Sequence, residues 1–374
     1  MKKIFLALAV PAMSVMLSTA NASEIYKADG TSLDIHGYLQ SVLYHGGQST
    51  YKKVDGINST GNLSMYSHFG IFGETRVNDK VSVFSDSNWN VASQTSDGSR
   101  FYPLRIYLGA DFGDNGVVTV GQLYNPIYTA IVRPTDLFDQ WPKEAQLNIL
   151  GHSNQSSQID YATKVGRFDL ETSVQFRNKD GVNIGGIQKG TVLDNAYTGA
   201  LVYHTRIGLN LRAAYARQNF GSTVNKQTGA VIPTTATTLG MSDGKVDTYG
   251  LGANYSHRKL YLAFAYLGST TDTGQATKNK LHINSYDLVG SYNLDQYQLY
   301  TGYAIQHRNG NEIPKAYTPI RCFKVGVKYA ITSNSMAWLE YSGNHGDVDQ
   351  NHAFDDYTMG YGKNEVSLSA KYVL

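Results

Sequence analysis

The segment Arg167-Phe168-Asp169-Leu170-Glu171-Thr172-Ser173-Val174-Gln175-Phe176-Arg177 decides the fold class. Phe168, Leu170, Thr172, Val174 and Phe176 share one face, and Arg167, Asp169, Glu171, Ser173, Gln175 and Arg177 share the other. A two-residue period belongs to an extended strand whose faces meet different solvents. A soluble sheet also alternates, but its strands usually end after about five or six residues. Roughly ten residues of unbroken alternation suit a strand tilted across a bilayer, one face toward hydrocarbon and the other toward water.

The same pattern returns at Leu260, Leu262, Phe264 and Tyr266, at Tyr297, Leu299, Thr301, Tyr303 and Ile305, and at Phe323, Val325, Val327 and Tyr329. Opposite the second of these lie Gln296, Gln298, Tyr300 and Gln306, a face that asks for water. This inverts the arrangement of a soluble barrel with an apolar interior. Sixteen such segments are expected, at 32–44, 61–75, 81–91, 101–111, 117–122, 148–163, 167–177, 195–203, 208–219, 245–255, 259–270, 281–292, 296–307, 320–330, 336–342 and 363–374. Connections alternate between tight (76–80, 112–116, 164–166, 204–207, 256–258, 293–295, 331–335) and extended and polar (178–194, 220–244), as periplasmic turns and extracellular loops do. The expected fold is therefore all-β, a transmembrane antiparallel β-barrel of about sixteen strands, with no domain break along it.

The ends agree with this reading. Lys2 and Lys3, an apolar stretch from Ile4 to Leu17 and the small-x-small Ala20-Asn21-Ala22 read as a signal peptide over 1–22, with cleavage near Ala22 and a barrel over 23–374. The apolar stretch is interrupted by Pro11 and Ser14 and falls short of the ~20 residues of a membrane helix. Without Lys2 and Lys3 the chain carries 30 basic and 30 acidic residues, so no basic field points to nucleic acid. Cys322 is the single cysteine and excludes an internal disulfide. The 28 Tyr and 37 Gly against 8 Pro suit long strands, turns and aromatic girdles at the two interfaces. The last segment places Val366, Leu368, Ala370, Tyr372 and Leu374 on one face and ends the chain in mid-strand.

Taken in order, Glu24-Ile25-Tyr26-Lys27-Ala28-Asp29-Gly30, Leu33-Asp34-Ile35-His36-Gly37, Phe69-Gly70-Ile71-Phe72-Gly73-Glu74-Thr75, Gly121-Gln122-Leu123-Tyr124 and the terminal strand resemble the general diffusion porins of Gram-negative outer membranes. The resemblance covers nearly the whole chain after residue 22, with Leu374 where the family usually ends in Phe. It implies a homotrimer in outer-membrane lipid, with a long third loop folded into the lumen. Here that constriction loop is 123–147, with Asp136, Asp139, Trp141, Lys143 and Glu144; the plainer alternative is an ordinary solvated loop. An acidic loop facing a basic wall would set a transverse field across a poorly screened gap. Where the family carries wall arginines this sequence reads Tyr38, His68, Gln122 and, by a weaker alignment, Gln155. It also lacks the usual acidic-aromatic-glycine motif. Inward parity offers Arg105 as a wall cation, and Arg167, Arg177 and Arg212 as charges away from the narrowest point. Trp141 either pins the loop to the wall or stacks on sugar rings beside Asp139, Tyr124 and Tyr128.

The implied function is a water-filled channel for passive diffusion of small hydrophilic solutes and ions. The alternatives are an oligosaccharide-preferring porin, or a recognition barrel using the long loops. Nothing points to an enzyme or a cofactor: His152, His345 and His352 lie in loops without a nucleophile or metal-ligand spacing, and no His-Glu-x-x-His, Gly-x-Ser-x-Gly or phosphate loop is present.

Overall fold

The computed structural model describes residues 23–46, 62–92, 101–139, 154–177, 191–222, 241–274, 280–310, 316–347 and 364–374. In chain order the strands are β1 (Ser23–Ala28), β2 (Thr31–Gly46), β3 (Asn62–Arg76), β4 (Ser82–Ala92), β5 (Phe101–Asp111) and β6 (Val117–Tyr124). They continue as β7 (Asn154–Val165), β8 (Phe168–Gln175), β9 (Leu193–His204), β10 (Leu209–Phe220), β11 (Lys245–His257) and β12 (Leu260–Asp272). The set closes with β13 (Lys280–Leu294), β14 (Tyr297–Gly310), β15 (Tyr317–Ala330), β16 (Ser335–Asn344) and β17 (Asn364–Val373).

From β2 to β17 each strand pairs antiparallel with the next, and β17 returns to β2 with Glu365 opposite Gly46 and Val373 opposite Tyr38. The sheet therefore closes on itself as a sixteen-stranded barrel without a free edge, the condition for strands in lipid. β1 adds a seventeenth strand but no new stave. It pairs with the start of β2, Ser23 opposite Ile35 and Ala28 opposite Thr31, on the same edge that β17 occupies further along. The two chain ends thus share one stave, and Leu374 N donates to Gly37 O at 2.9 Å. The count of sixteen barrel strands stands; β1 was not foreseen, because its six residues are too few to establish a period. The seventh strand begins at Asn154 rather than 148, and 148–153 lie outside the described residues.

The alternation is realised as expected. Leu108, Phe101, Leu251, Leu288, Leu299, Phe323 and Leu368 stand exposed on the outer face, an apolar band that would aggregate in water and that hydrocarbon covers. Tight turns join strands at the opposite end from the long connections, two-residue turns at Gly166-Arg167 and Arg258-Lys259 among them.

Gly121 carries a constraint of its own. Its φ is +143°, and a Cβ there would stand 2.3 Å from Ile106 O and 2.8 Å from Tyr107 Cα, backbone atoms of the paired strand. Gly121→Val combines left-handed strain with overpacking, together about 2 to 6 kcal/mol. The expected outcome is loss of the folded, heat-modifiable band on detergent gels; a normal folded band would contradict the geometry.

Candidate functional site

Inward side chains differ between two stretches of the wall, each mixing apolar and polar residues. On β9 to β13 many are small or apolar: Ala196, Ala200 and Val202, then Ala214 and Ala216, Val246, Ala265 and Leu267, and Ile283. On β14 to β17 they are largely polar or charged, among them Gln306, Arg308, Lys324, Glu340, Ser367 and Ser369. The apolar inward residues of β9 to β13 are buried because a segment of the chain covers them.

Residues 125–139 follow β6 as a π-helical turn, Tyr128–Val132, and a 3-10 turn, Arg133–Thr135, with Pro134 in its first turn. Ile127, Ile131 and Val132 are fully buried in one apolar cluster with Leu193, Phe220, Met241 and Leu267. Gly250 leaves room for this approach, since a Cβ there would stand 2.8 Å from Ile131 Cγ1. Polar bonds tie the same segment to strand after strand. Asn125 Nδ2 donates to Thr198 Oγ1 at 3.0 Å, and Thr129 Oγ1 donates to Glu171 Oε2 at 2.6 Å. Arg212, buried, donates from Nη1 to Ala130 O at 3.1 Å and from Nε to Asn254 Oδ1 at 2.8 Å. The Tyr261 hydroxyl donates to Pro134 O at 2.8 Å.

The far end of the segment reaches the charged residues of β14 to β17. Phe138 packs on Tyr300 with ring centroids 4.9 Å apart, and Lys324 Nζ stands 4.9 Å from the Phe138 ring. Asp139 N donates to Glu340 Oε1 at 2.9 Å, and Tyr300 donates to the same oxygen at 2.8 Å. Asp139 accepts from Gln40 Nε2 at 2.5 Å and stands 3.7 Å from Lys371 Nζ. One short segment therefore bridges inward side chains from β8 around to β2.

A closed sixteen-stranded barrel whose inward side chains bind the segment after β6, its fifth barrel strand, is a fold with known relatives. The profile of the Gram-negative porin family matches residues 7–341. The chain belongs to the Gram-negative porins. Outer membrane porin C of Salmonella typhimurium is 26% identical over 402 residues, spanning 99% of this chain and 98% of that protein. Among solved structures, Salmonella typhi OmpF in complex with daunomycin matches with a TM-score of 0.71 at 17% identity, over 94% of this chain and 100% of that one. The trimer form of OmpT from Vibrio cholerae matches with a TM-score of 0.68 at 15% identity, over 92% and 100%. Membership identifies an outer-membrane protein of a family of channels.

Within this porin the expected site residues separate. Asp136 accepts from the Tyr128 hydroxyl at 2.8 Å; burial and the adjacent Asp136 charge push that hydroxyl above its ordinary pKa, so it remains a donor. Tyr38 stacks on His68 at 5.3 Å, and His68 is held by Asn88 and Asn90 at 2.9 and 3.1 Å. Arg105 lies opposite buried Asn88, with its guanidinium 4.8 Å from the Tyr124 ring. Gln122 is a correction. It pairs opposite Ile106, whose side chain is exposed on the outer face, and its amide donates to Leu104 O at 2.8 Å. It is spent on the backbone rather than turned to the lumen. Gln155 accepts from Gln175 at 3.3 Å.

Arg167 occupies the turn after β7, and Arg177 lies beyond β8 beside Asp194 at 3.5 Å, so neither is a wall charge. Arg212 holds the crossing segment instead. Trp141, Lys143 and Glu144 lie outside the described residues. Sequence reasoning missed Lys324, Lys328, Lys371 and Glu340, all at inward positions of β15 to β17. Parity is the signal that finds the first two, since Lys324 and Lys328 alternate with Phe323, Val325 and Val327.

Proposed function

We propose that this porin is a trimeric channel for passive diffusion of small hydrophilic solutes and ions across the outer membrane, after removal of residues 1–22, with 123–147 as its constriction. The observation that carries the reading is the tethering of 125–139 across inward side chains from Glu171 on β8 to Gln40 on β2. A segment so anchored narrows a sixteen-stranded lumen that is otherwise wide enough for an aqueous channel. Where it meets the wall, Asp139 and Glu340 lie among Lys324, Lys328 and Lys371, so solutes pass charges of both signs at close range. The homotrimer is supported by the trimer form of the Vibrio cholerae relative.

Single-channel recording of the detergent-purified protein in a planar bilayer tests this reading. Conductance closing in three equal steps is the expected result, and a salt gradient then gives the sign of selectivity. A folded barrel without conductance would overturn the proposal.

A further inference from the structure

Three neighbouring strands place a row of hydrogen-bond donors on the inner wall. Lys328 on β15 pairs opposite Trp338 on β16, and Trp338 pairs opposite Ser369 on β17. Lys371 follows as the next inward residue of β17. Directly opposed side chains on one face have Cβ atoms about 5 Å apart, so the four groups are neighbours. Lys328 Nζ stands 5.5 Å from the Trp338 ring centroid and 5.7 Å from that of Tyr300. Lys371 Nζ stands 5.2 Å from the Trp338 ring and 4.2 Å from the Tyr38 ring.

These ammonium groups are oriented chiefly by aromatic faces, which attract cations without neutralising them. Asp139 pairs with Lys371 at 3.7 Å, whereas among the described residues no carboxylate stands within ion-pair reach of Lys328. Trp338 is 2% exposed and Ser369 1% exposed, and neither the indole N–H nor the Ser369 hydroxyl has a hydrogen-bond partner among the described residues. The Ser367 hydroxyl, one inward step along β17, is also unpartnered. A buried donor without an acceptor costs about 1 to 3 kcal/mol, and an indole N–H can only donate. The complement of two ammonium groups, an indole N–H and hydroxyls is an oxygen-bearing anion.

We propose that Lys328, Trp338, Ser369 and Lys371 form a binding site for small oxyanions of the carboxylate or phosphate class. The site rests on the pore reading and deepens it: such solutes pause at this wall, whereas neutral ones of the same size do not.

The test is single-channel current of the full-length protein in potassium chloride, with sodium phosphate, sodium acetate or glucose added in turn. Phosphate, acetate or both are expected to reduce the current with saturation, and glucose is not; block by one oxyanion alone supports the site and names its class. Trp338→Phe keeps an aromatic face, smaller than the indole, and loses the N–H, and is expected to weaken the block roughly tenfold. Lys328→Gln is expected to abolish it and Lys328→Arg to restore it, with heat-modifiable migration verifying that each variant folds. Open channels without oxyanion block, or block unchanged in both Lys328→Gln and Trp338→Phe, would overturn the site and leave the pore reading intact. If the wild type gives no current steps, the pore reading fails instead. Calorimetric titration of the detergent-folded protein with phosphate and acetate then reads the site directly, and absence of binding heat for both overturns it.

Discussion

Ile131→Asp is expected to raise single-channel conductance and to admit larger neutral solutes in liposome swelling, while the barrel remains folded. Ile131 is fully buried between the crossing segment and the inner wall, in the cluster that includes Leu267 and Val246. An unpaired carboxylate there costs several kcal/mol or more. Detaching 127–132 from the wall relieves that cost without breaking any strand pairing, because residue 131 belongs to no strand. Ile131→Val removes one methylene, about 0.5 to 1.5 kcal/mol, and is expected to conduct as the wild type does. Conductance and solute cut-off unchanged in Ile131→Asp would show that the apolar contact does not hold the segment in place.

The second large effect is expected at Glu340, which is 1% exposed and accepts from both Tyr300 and the Asp139 backbone. It sits between the strands that carry Lys324, Lys328 and Lys371, opposite Gly326 on one side and Ser367 on the other. Glu340→Ala leaves two donors without their acceptor, on the order of 2 to 5 kcal/mol locally, and removes a negative charge from beside the lysines. Two changes should follow: current fluctuations from a loosened segment, and a reversal potential shifted toward anions. Glu340→Gln retains an acceptor oxygen and loses only the charge, so it should shift the reversal potential with little added fluctuation. A reversal potential identical to wild type in both variants would remove Glu340 from the ion path.

Much of the barrel could be read from residue order. Phe168 to Phe176, Leu260 to Tyr266 and Phe323 to Tyr329 each carry a period of two, and each lies within or adjoins an observed strand with its apolar members outside. The site was less legible, for identifiable reasons. The resemblance alone puts Gln122 on the wall; the two-residue period from Val120 already sets it on the outer face, opposite Ile106. Parity turns Arg212 inward, where a solvated charge is the expectation, and nothing local reveals that its partner is Ala130 O, a backbone oxygen 82 residues away. The lysines of β15 and β17 are legible by parity, but parity alone does not say that they gather around Asp139 and Glu340.

What the sequence determined by itself is the sheet and its orientation: alternation is a local property, and hydrocarbon outside with water inside leaves one register that buries the apolar face. What only the tertiary structure decided is the interior. Parity assigns a side chain to a face but not to a height or to a neighbour across the lumen. The path of 125–139 depends on many weak contacts acting together, Ile127 and Ile131 on the β9 to β13 wall, Asp139 on Glu340 and Gln40, so the partners of the charged residues emerge only when the barrel closes around that segment.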